Sequence, residues 1–213
     1  MTLDPTWIKG ELDAIKGMST RSHMKGRRFE KLLRLIFEDV PGLTHVASDT
    51  QSAHHTQEID LTFWNDKPPN GLFFLDVPLL IEGKSSSSPV DGRDFEHFAT
   101  TVKHRGRRDG VLVALGGLTG NPGRNSAGLY HQATALIDGI TILVVTEEDL
   151  LTLTSGADLV RLCQRLLLAI TLRQVQQKVE KAKIGKSTKA PVKSKAKAEL
   201  KAAAPTKPKD AQP

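Results

Sequence analysis

The spacing of apolar residues changes several times along the chain, and each change marks a predicted element. Asp4-Pro5 places a capping side chain before a proline at the first helical position, which predicts a short helix to about Lys16. Phe29, Leu32, Leu33, Ile36 and Phe37 recur at helical spacing and predict a helix over 21–39, ended by Pro41-Gly42. Residues 44–48 are predicted as a first strand. Ile59, Leu61 and Phe63 alternate with Glu58, Asp60 and Thr62, the pattern of a half-buried strand. Pro68-Pro69 marks a turn over 65–71. Leu72 to Lys84 then reads as one long apolar strand, with Pro78 at a bulge or edge. Ser85 to Ser88 is a loop.

In the second half, Asp91 caps a helix running to about His104, and Val111–Leu115 is a short buried strand closed by Gly116-Gly117. A Gly/Asn/Pro loop over 118–125 leads to a helix from about Ser126 to Ile137 and a strand over Ile140–Val145. Glu147 to Leu153 is a short helix with acids in its first turn, where the helix dipole favours them. A last helix is predicted from near Ala157 to about Lys183, with Leu159, Leu162, Cys163, Leu166, Leu167 and Ile170 as its apolar stripe. After the first helix the order αβββαβαβαα predicts an α/β domain with a mixed sheet.

Composition adds a boundary. The chain has 213 residues, 38% of them hydrophobic, enough for one core. The formal charge of +6 is unevenly placed. Residues 174–213 hold eleven lysines against Glu180, Glu199 and Asp210, a net +8, and the remainder is −2. From Gly185 onward almost no large apolar residue occurs, so burial cannot offset ordering entropy. The expected organisation is an N-terminal helical extension over 1–20, a domain over 21–184 and a disordered Lys/Ala/Pro-rich tail over 185–213. Two readings of the tail stand: salt-sensitive attraction to nucleic-acid phosphates, or a solubilising segment. The single cysteine excludes an intramolecular disulfide and a multi-cysteine zinc site. No apolar run reaches membrane-spanning length and no signal peptide opens the sequence, so a cytoplasmic setting is expected.

The candidate chemistry sits on two of the predicted strands. Asp60 lies mid-strand, and Glu82 and Lys84, two apart on the next, share a face of the sheet. A hairpin connection would bring Asp60 beside Glu82. Two converging carboxylates suit a hard divalent cation, which polarises a phosphodiester and activates water. Lys84 could orient or deprotonate that water, or neutralise charge on the phosphate, and a nearby cation would depress its pKa. Glu30 could reach the same ion through water or help to hold Lys84.

These residues carry a resemblance. Asp60 followed by Glu82-Gly83-Lys84 resembles the Asp…(Asp/Glu)-x-Lys signature of restriction-endonuclease-like nucleases. Gly26-Arg27-Arg28-Phe29-Glu30 is similar to the first core helix of that superfamily. Gln57 to Leu61 and Leu80 to Lys84 are similar to its two metal-bearing strands. Asp91 to Arg105, Gly110 to Ala114 and Leu118-Thr119-Gly120 resemble the elements that follow in type IV, methyl-directed (Mrr-like) enzymes. The likeness spans about residues 21–153. It implies a restriction-endonuclease-like fold with an αβββαβ core, a mixed central sheet flanked by helices. It further implies an endonuclease hydrolysing DNA phosphodiester bonds with Mg²⁺, for which Mn²⁺ can substitute. Asp60 and Glu82 would bind the metal through carboxylates and Gly83 through its carbonyl. Many members have proline before the first aspartate, where Ile59 stands here.

Blander readings stand beside this one. Asp60, Glu82 and Lys84 also fit a polar cross-strand set on a wet sheet face. A nuclease fold without activity would bind only DNA or a protein partner. Arg21, Lys25, Arg27 and Arg28, and Arg93, Lys103, Arg105, Arg107 and Arg108, form two basic clusters, readable as phosphate contacts or as solvated helix ends. Ser85 to Ser88 and Arg124 are candidate DNA contacts on loops. His54-His55 read as loop residues and Cys163 as core. A homodimer is expected if both strands of a duplex are cut; the stripe of the final helix could extend into a dimer contact, but packing onto its own sheet is the favoured explanation.

Overall fold

The structure is a computed structural model that describes residues 3–19, 23–51, 58–119 and 127–187. Helices α1 (Pro5–Lys16) and α2 (His23–Glu38) precede strands β1 (Leu43–Gln51), β2 (Glu58–Asn65) and β3 (Leu79–Lys84). Then come α3 (Gly92–His104), β4 (Asp109–Ala114), α4 (Ala127–Ile137), β5 (Thr141–Val145), α5 (Glu147–Leu150) and α6 (Gly156–Ser187). The predicted caps are present: the Asp4 carboxylate accepts from the Thr6 N–H, and Asp91 from the Asp94 N–H at 2.9 Å. Two compact units divide the chain, residues 1–174 and 175–213, and in the second the described residues, 175–187, are helical. The expected tail from residue 188 onward, the start of the predicted second helix at Arg21, His54-His55, Arg124 and Ser126 lie outside the described residues.

The five strands form one sheet in the order β1-β2-β3-β4-β5, antiparallel from β1 to β3 and parallel from β3 to β5. This is the mixed α/β sheet that the element order predicted. The parallel half is buried on both faces, which explains its unbroken apolar runs. Ile81, Val111, Val113, Leu143 and Val145 pack with α1, α2 and the start of α6, while Leu80, Leu112, Ala114, Ile142 and Val144 pack against Phe95, Phe98 and Val102 of α3.

Two elements differ from the sequence reading. β1 extends well past residues 44–48, because ladder pairing with β2 carries its polar second half as far as Gln51 opposite Glu58. The long strand predicted over 72–84 is only Leu79–Lys84. Leu72 and Leu75, three apart, are both buried in a turn closed by the Leu75 N–H donating to the Leu72 carbonyl at 3.0 Å. Buried Asn65 holds this turn by donating its side-chain amide to the Leu72 carbonyl at 2.9 Å and, more loosely, to the carbonyls of Leu75 and Asp76. The apolar run therefore reports burial rather than a ladder. Asn65→Ala removes these bonds and leaves the Leu72 carbonyl with the Leu75 N–H alone, and the expected loss is about 1–2 kcal/mol of stability, read by urea unfolding.

Candidate active site

The site forms where β2 and β3 part. Pairing between them runs from Phe63 opposite Leu79 to Leu61 opposite Ile81 and stops there. One step further, Asp60 and Glu82 are level. In place of a continued ladder, the Asp60 carboxylate accepts the Gly83 N–H at 2.7 Å. On the other side of β3, α2 lies so close that a Cβ on Gly83 would stand 3.0 Å from Leu33 Cδ1 and 3.1 Å from the Phe29 ring. A side chain at Gly83 would thus crowd α2, a constraint the sequence did not disclose. Glu82 is 9% exposed, and Lys84 Nζ pairs with Glu82 Oε1 at 2.9 Å.

The electrostatics follow from this crowding. Burial first, then the charge of Glu82, pushes the Asp60 carboxyl up to about 7; the Gly83 N–H and Lys84 oppose that rise, and Asp49 adds to it. Asp49 went unnoticed in the sequence. It lies on β1 between Ser48, opposite Leu61, and Thr50, opposite Ile59, so it is level with Asp60. Its φ of 49° is a left-handed conformation that aspartate tolerates. The register of the first hairpin is the signal that locates it. For Lys84, burial favours the neutral amine, but the charge and hydrogen bond of Glu82, then Asp60 and Asp94, outweigh it and raise the pKa. The depression expected for Lys84 would need the charge of a divalent cation, since the protein's own groups act the other way.

The structure brings Asp60, Glu82, Gly83 and Lys84 together and distributes the other candidates more widely. Glu30 is half-buried on α2, next to Phe29, which packs on Gly83; it is not among the groups acting most strongly on Asp60 and Lys84. Arg27 is exposed. Arg28 is held by Glu11 of α1, through Nε at 3.0 Å and Nη2 at 3.2 Å. Lys25 is buried rather than part of a solvated helix end. Ser85 directly follows β3, and Arg93 is exposed in the first turn of α3, whose Asp94 acts on Lys84. Arg105 caps the opposite end of α3, about 18 Å from Arg93. Cys163 is in the core, and burial pushes its thiol up to about 12.

The donor set is oxygen-only, two carboxylates whose mutual repulsion a divalent cation would relieve, so it fits a hard metal ion. Among the described residues, no group of three or more His, Cys, Asp or Glu side chains converges on one ion. Among the described residues, no helix is long and apolar enough to cross a membrane.

A family model described as restriction endonuclease, of the Mrr catalytic kind, matches residues 21–163. The chain belongs to the restriction endonuclease family. The match covers the predicted span and extends it into α6. The fold is accordingly restriction-endonuclease-like, a nuclease domain for which DNA is the implied substrate, and this family generally uses divalent metal ions. No curated protein matches the chain.

Two outcomes follow from the geometry. Gly83→Ala presses a methyl group on the Leu33 and Phe29 side chains of α2, which must give by a few tenths of an ångström, at an expected cost of about 1–3 kcal/mol in thermal or urea unfolding. The raised Asp60 pKa makes ionisation unfavourable in the folded state. As pH rises from about 4 to 7, the unfolded carboxyl loses its proton first and stability falls. Asp60→Asn removes this penalty and keeps an acceptor for Gly83. In EDTA its unfolding free energy should exceed that of wild type at pH 8 by on the order of 2 kcal/mol, read as a higher melting temperature, and the two should converge near pH 4.

Proposed function

We propose that this protein is a metal-dependent DNA endonuclease that hydrolyses phosphodiester bonds at the Asp60–Glu82–Lys84 site. The observation that carries this reading is the Asp60 carboxylate set in the gap between β2 and β3, level with Glu82 and hydrogen-bonded to Gly83. Asp60, Glu82 and the Gly83 carbonyl are the groups that would hold the ion, Mg²⁺ or Mn²⁺ in its place. Such a cation supplies Lewis-acid stabilisation of phosphoryl oxygens and makes water more acidic.

The raised pKa of Lys84 supports two of its three candidate roles over deprotonation of water. A lysine kept as ammonium donates hydrogen bonds. It steadies charge building on a phosphate oxygen, or orients an attacking water, more readily than it removes a proton. Glu82 holds the Lys84 amine in position at 2.9 Å. Glu30 acts from α2, where its neighbour Phe29 packs directly on the strand that bears both groups. Arg27, Arg93 and Ser85 serve as phosphate contacts around the site, and Arg105, at the far end of α3, contacts the duplex at a distance. The Lys-rich tail adds sequence-independent affinity. A homodimer would place one site on each strand of a duplex, and the setting is cytoplasmic.

Purified protein should convert supercoiled plasmid to nicked and linear forms with Mg²⁺ and not with EDTA. Asp60→Ala and Lys84→Ala should each lower the rate at least about 100-fold. Mg²⁺ should also raise the melting temperature of wild type but not of Asp60→Ala. Absence of cleavage on methylated, unmethylated, single-stranded and branched DNA, together with salt-dependent DNA retention, would favour the alternative of a catalytically inactive DNA-binding or partner-binding module. Full cleavage by both variants would move the chemistry elsewhere.

A further inference from the structure

The sheet face that bears Glu82 and Lys84 is covered on only one side. Thr62 lies opposite Leu80, and Leu80, Glu82 and Lys84 alternate with Ile81 and Gly83. Thr62 and Trp64 therefore share the face of the site residues. Over β3 to β5 that face is buried under Phe95, Phe98, Ala99 and Val102 of α3. The start of β2 joins that cluster through buried Ile59, but from Thr62 to Trp64 and over the facing part of β1 no described element covers it. Thr44, opposite Trp64, is exposed, and Ala47, opposite Thr62, is half-buried. Trp64 itself is 52% exposed. Its indole N–H donates to Asp66 Oδ1 at 3.0 Å, which satisfies the polar edge and fixes the ring, leaving apolar surface to meet solvent.

We propose that Trp64 is a stacking platform for an unpaired base of the substrate strand, a few nucleotides from the phosphodiester bound at Asp60 and Glu82. The proposal rests on the nucleolytic reading above. Asp60 and Trp64 are four residues apart on one strand, about 13 Å. The surface between them is floored by Thr62 on β2 and by Ala47 and Thr44 on β1, with exposed Val46 in the bulge between those two, and among the described residues no large side chain of these strands blocks a nucleic-acid strand from lying along the sheet. Exposed Lys67 and Arg108 stand at the Trp64 end, Lys67 in the turn after β2 and Arg108 with its backbone N–H on Asp76 Oδ2 at 2.6 Å, where they can meet phosphates. Aromatic stacking reads any base because every base has a π-face, and it needs a base out of the duplex stack. The substrate class is accordingly single-stranded, gapped or frayed DNA, with little sequence preference at this position.

The chain has two tryptophans, Trp7 and Trp64. Full-length Trp7→Phe protein, in which Trp64 is the remaining indole, is titrated in EDTA with oligo-dT and with a blunt hairpin duplex of the same length, at a salt concentration that suppresses phosphate contacts. The expected result is saturable quenching by oligo-dT at lower concentration than by duplex. Anisotropy of labelled oligo-dT with the otherwise native chain should show Trp64→Ala weakened by about tenfold and Trp64→Phe by no more than about threefold. Unchanged affinity of Trp64→Ala, or no preference for oligo-dT over duplex, overturns the proposal. Sedimentation in which wild type is a dimer and Trp64→Ala a monomer also overturns it, assigning the face to a second copy. These titrations need neither metal nor cleavage. Loss of the catalytic reading would show as no Mg²⁺-dependent cutting with the stacking result intact, and loss of the stacking proposal as the converse.

Discussion

The hydrogen bond from the Gly83 N–H to the Asp60 carboxylate is the contact on which the arrangement of the site depends. Where β2 and β3 separate, the Gly83 N–H needs an acceptor, and a half-buried donor left without one is costly. Asp60 supplies it and is drawn into the gap between the strands. The same glycine has Phe29 and Leu33 of α2 within van der Waals reach on its other side. A single residue is thus fixed from both sides, by a carboxylate in the sheet and by a helix against it. The carboxylate that pins it is also the one with the strongest electrostatic perturbation in the fold's candidate site.

That perturbation is the counterpart of the packing. Asp49, Asp60 and Glu82 lie level across three adjacent strands, and their charges add to the burial that disfavours an ionised Asp60. Lys84 offsets only part of this, because its ammonium is engaged with Glu82 at 2.9 Å. A fold that places like charges on neighbouring strands carries an unfavourable term that a bound cation would remove. The local cost and the affinity for a hard cation share one origin.

Coverage of the sheet divides its two halves by role. α3 seals the parallel half and reaches Ile59 at the start of β2, while from Thr62 to Trp64 no described element covers the antiparallel hairpin on the same face. Strand ends at the C-terminal side of β3, with the first turn of α3 nearby, hold the carboxylates and Lys84. The open hairpin extends from that point toward Trp64. A site beside an uncovered sheet surface is accessible to a polymer, whereas one enclosed by helices on all sides would admit only a small molecule.

By itself, the sequence determined the order and type of nearly every element, because period-2 and period-3.6 patterns, the Asp4 and Asp91 caps and the Pro41-Gly42 stop are local signals. It also singled out Asp60, Glu82 and Lys84, since spacing on two strands fixes which side chains share a face. It misread Leu72–Val77, where burial in a turn and burial in a strand leave the same apolar composition, and only the reach of the Asn65 amide to three carbonyls separates the two. The pairing of Arg28 with Glu11 and the burial of Lys25 were equally beyond it. So were the level position of Asp49 and the packing constraint at Gly83. Each of these depends on which segments distant in sequence meet, and that is decided by strand register and helix packing rather than by any residue's immediate neighbours.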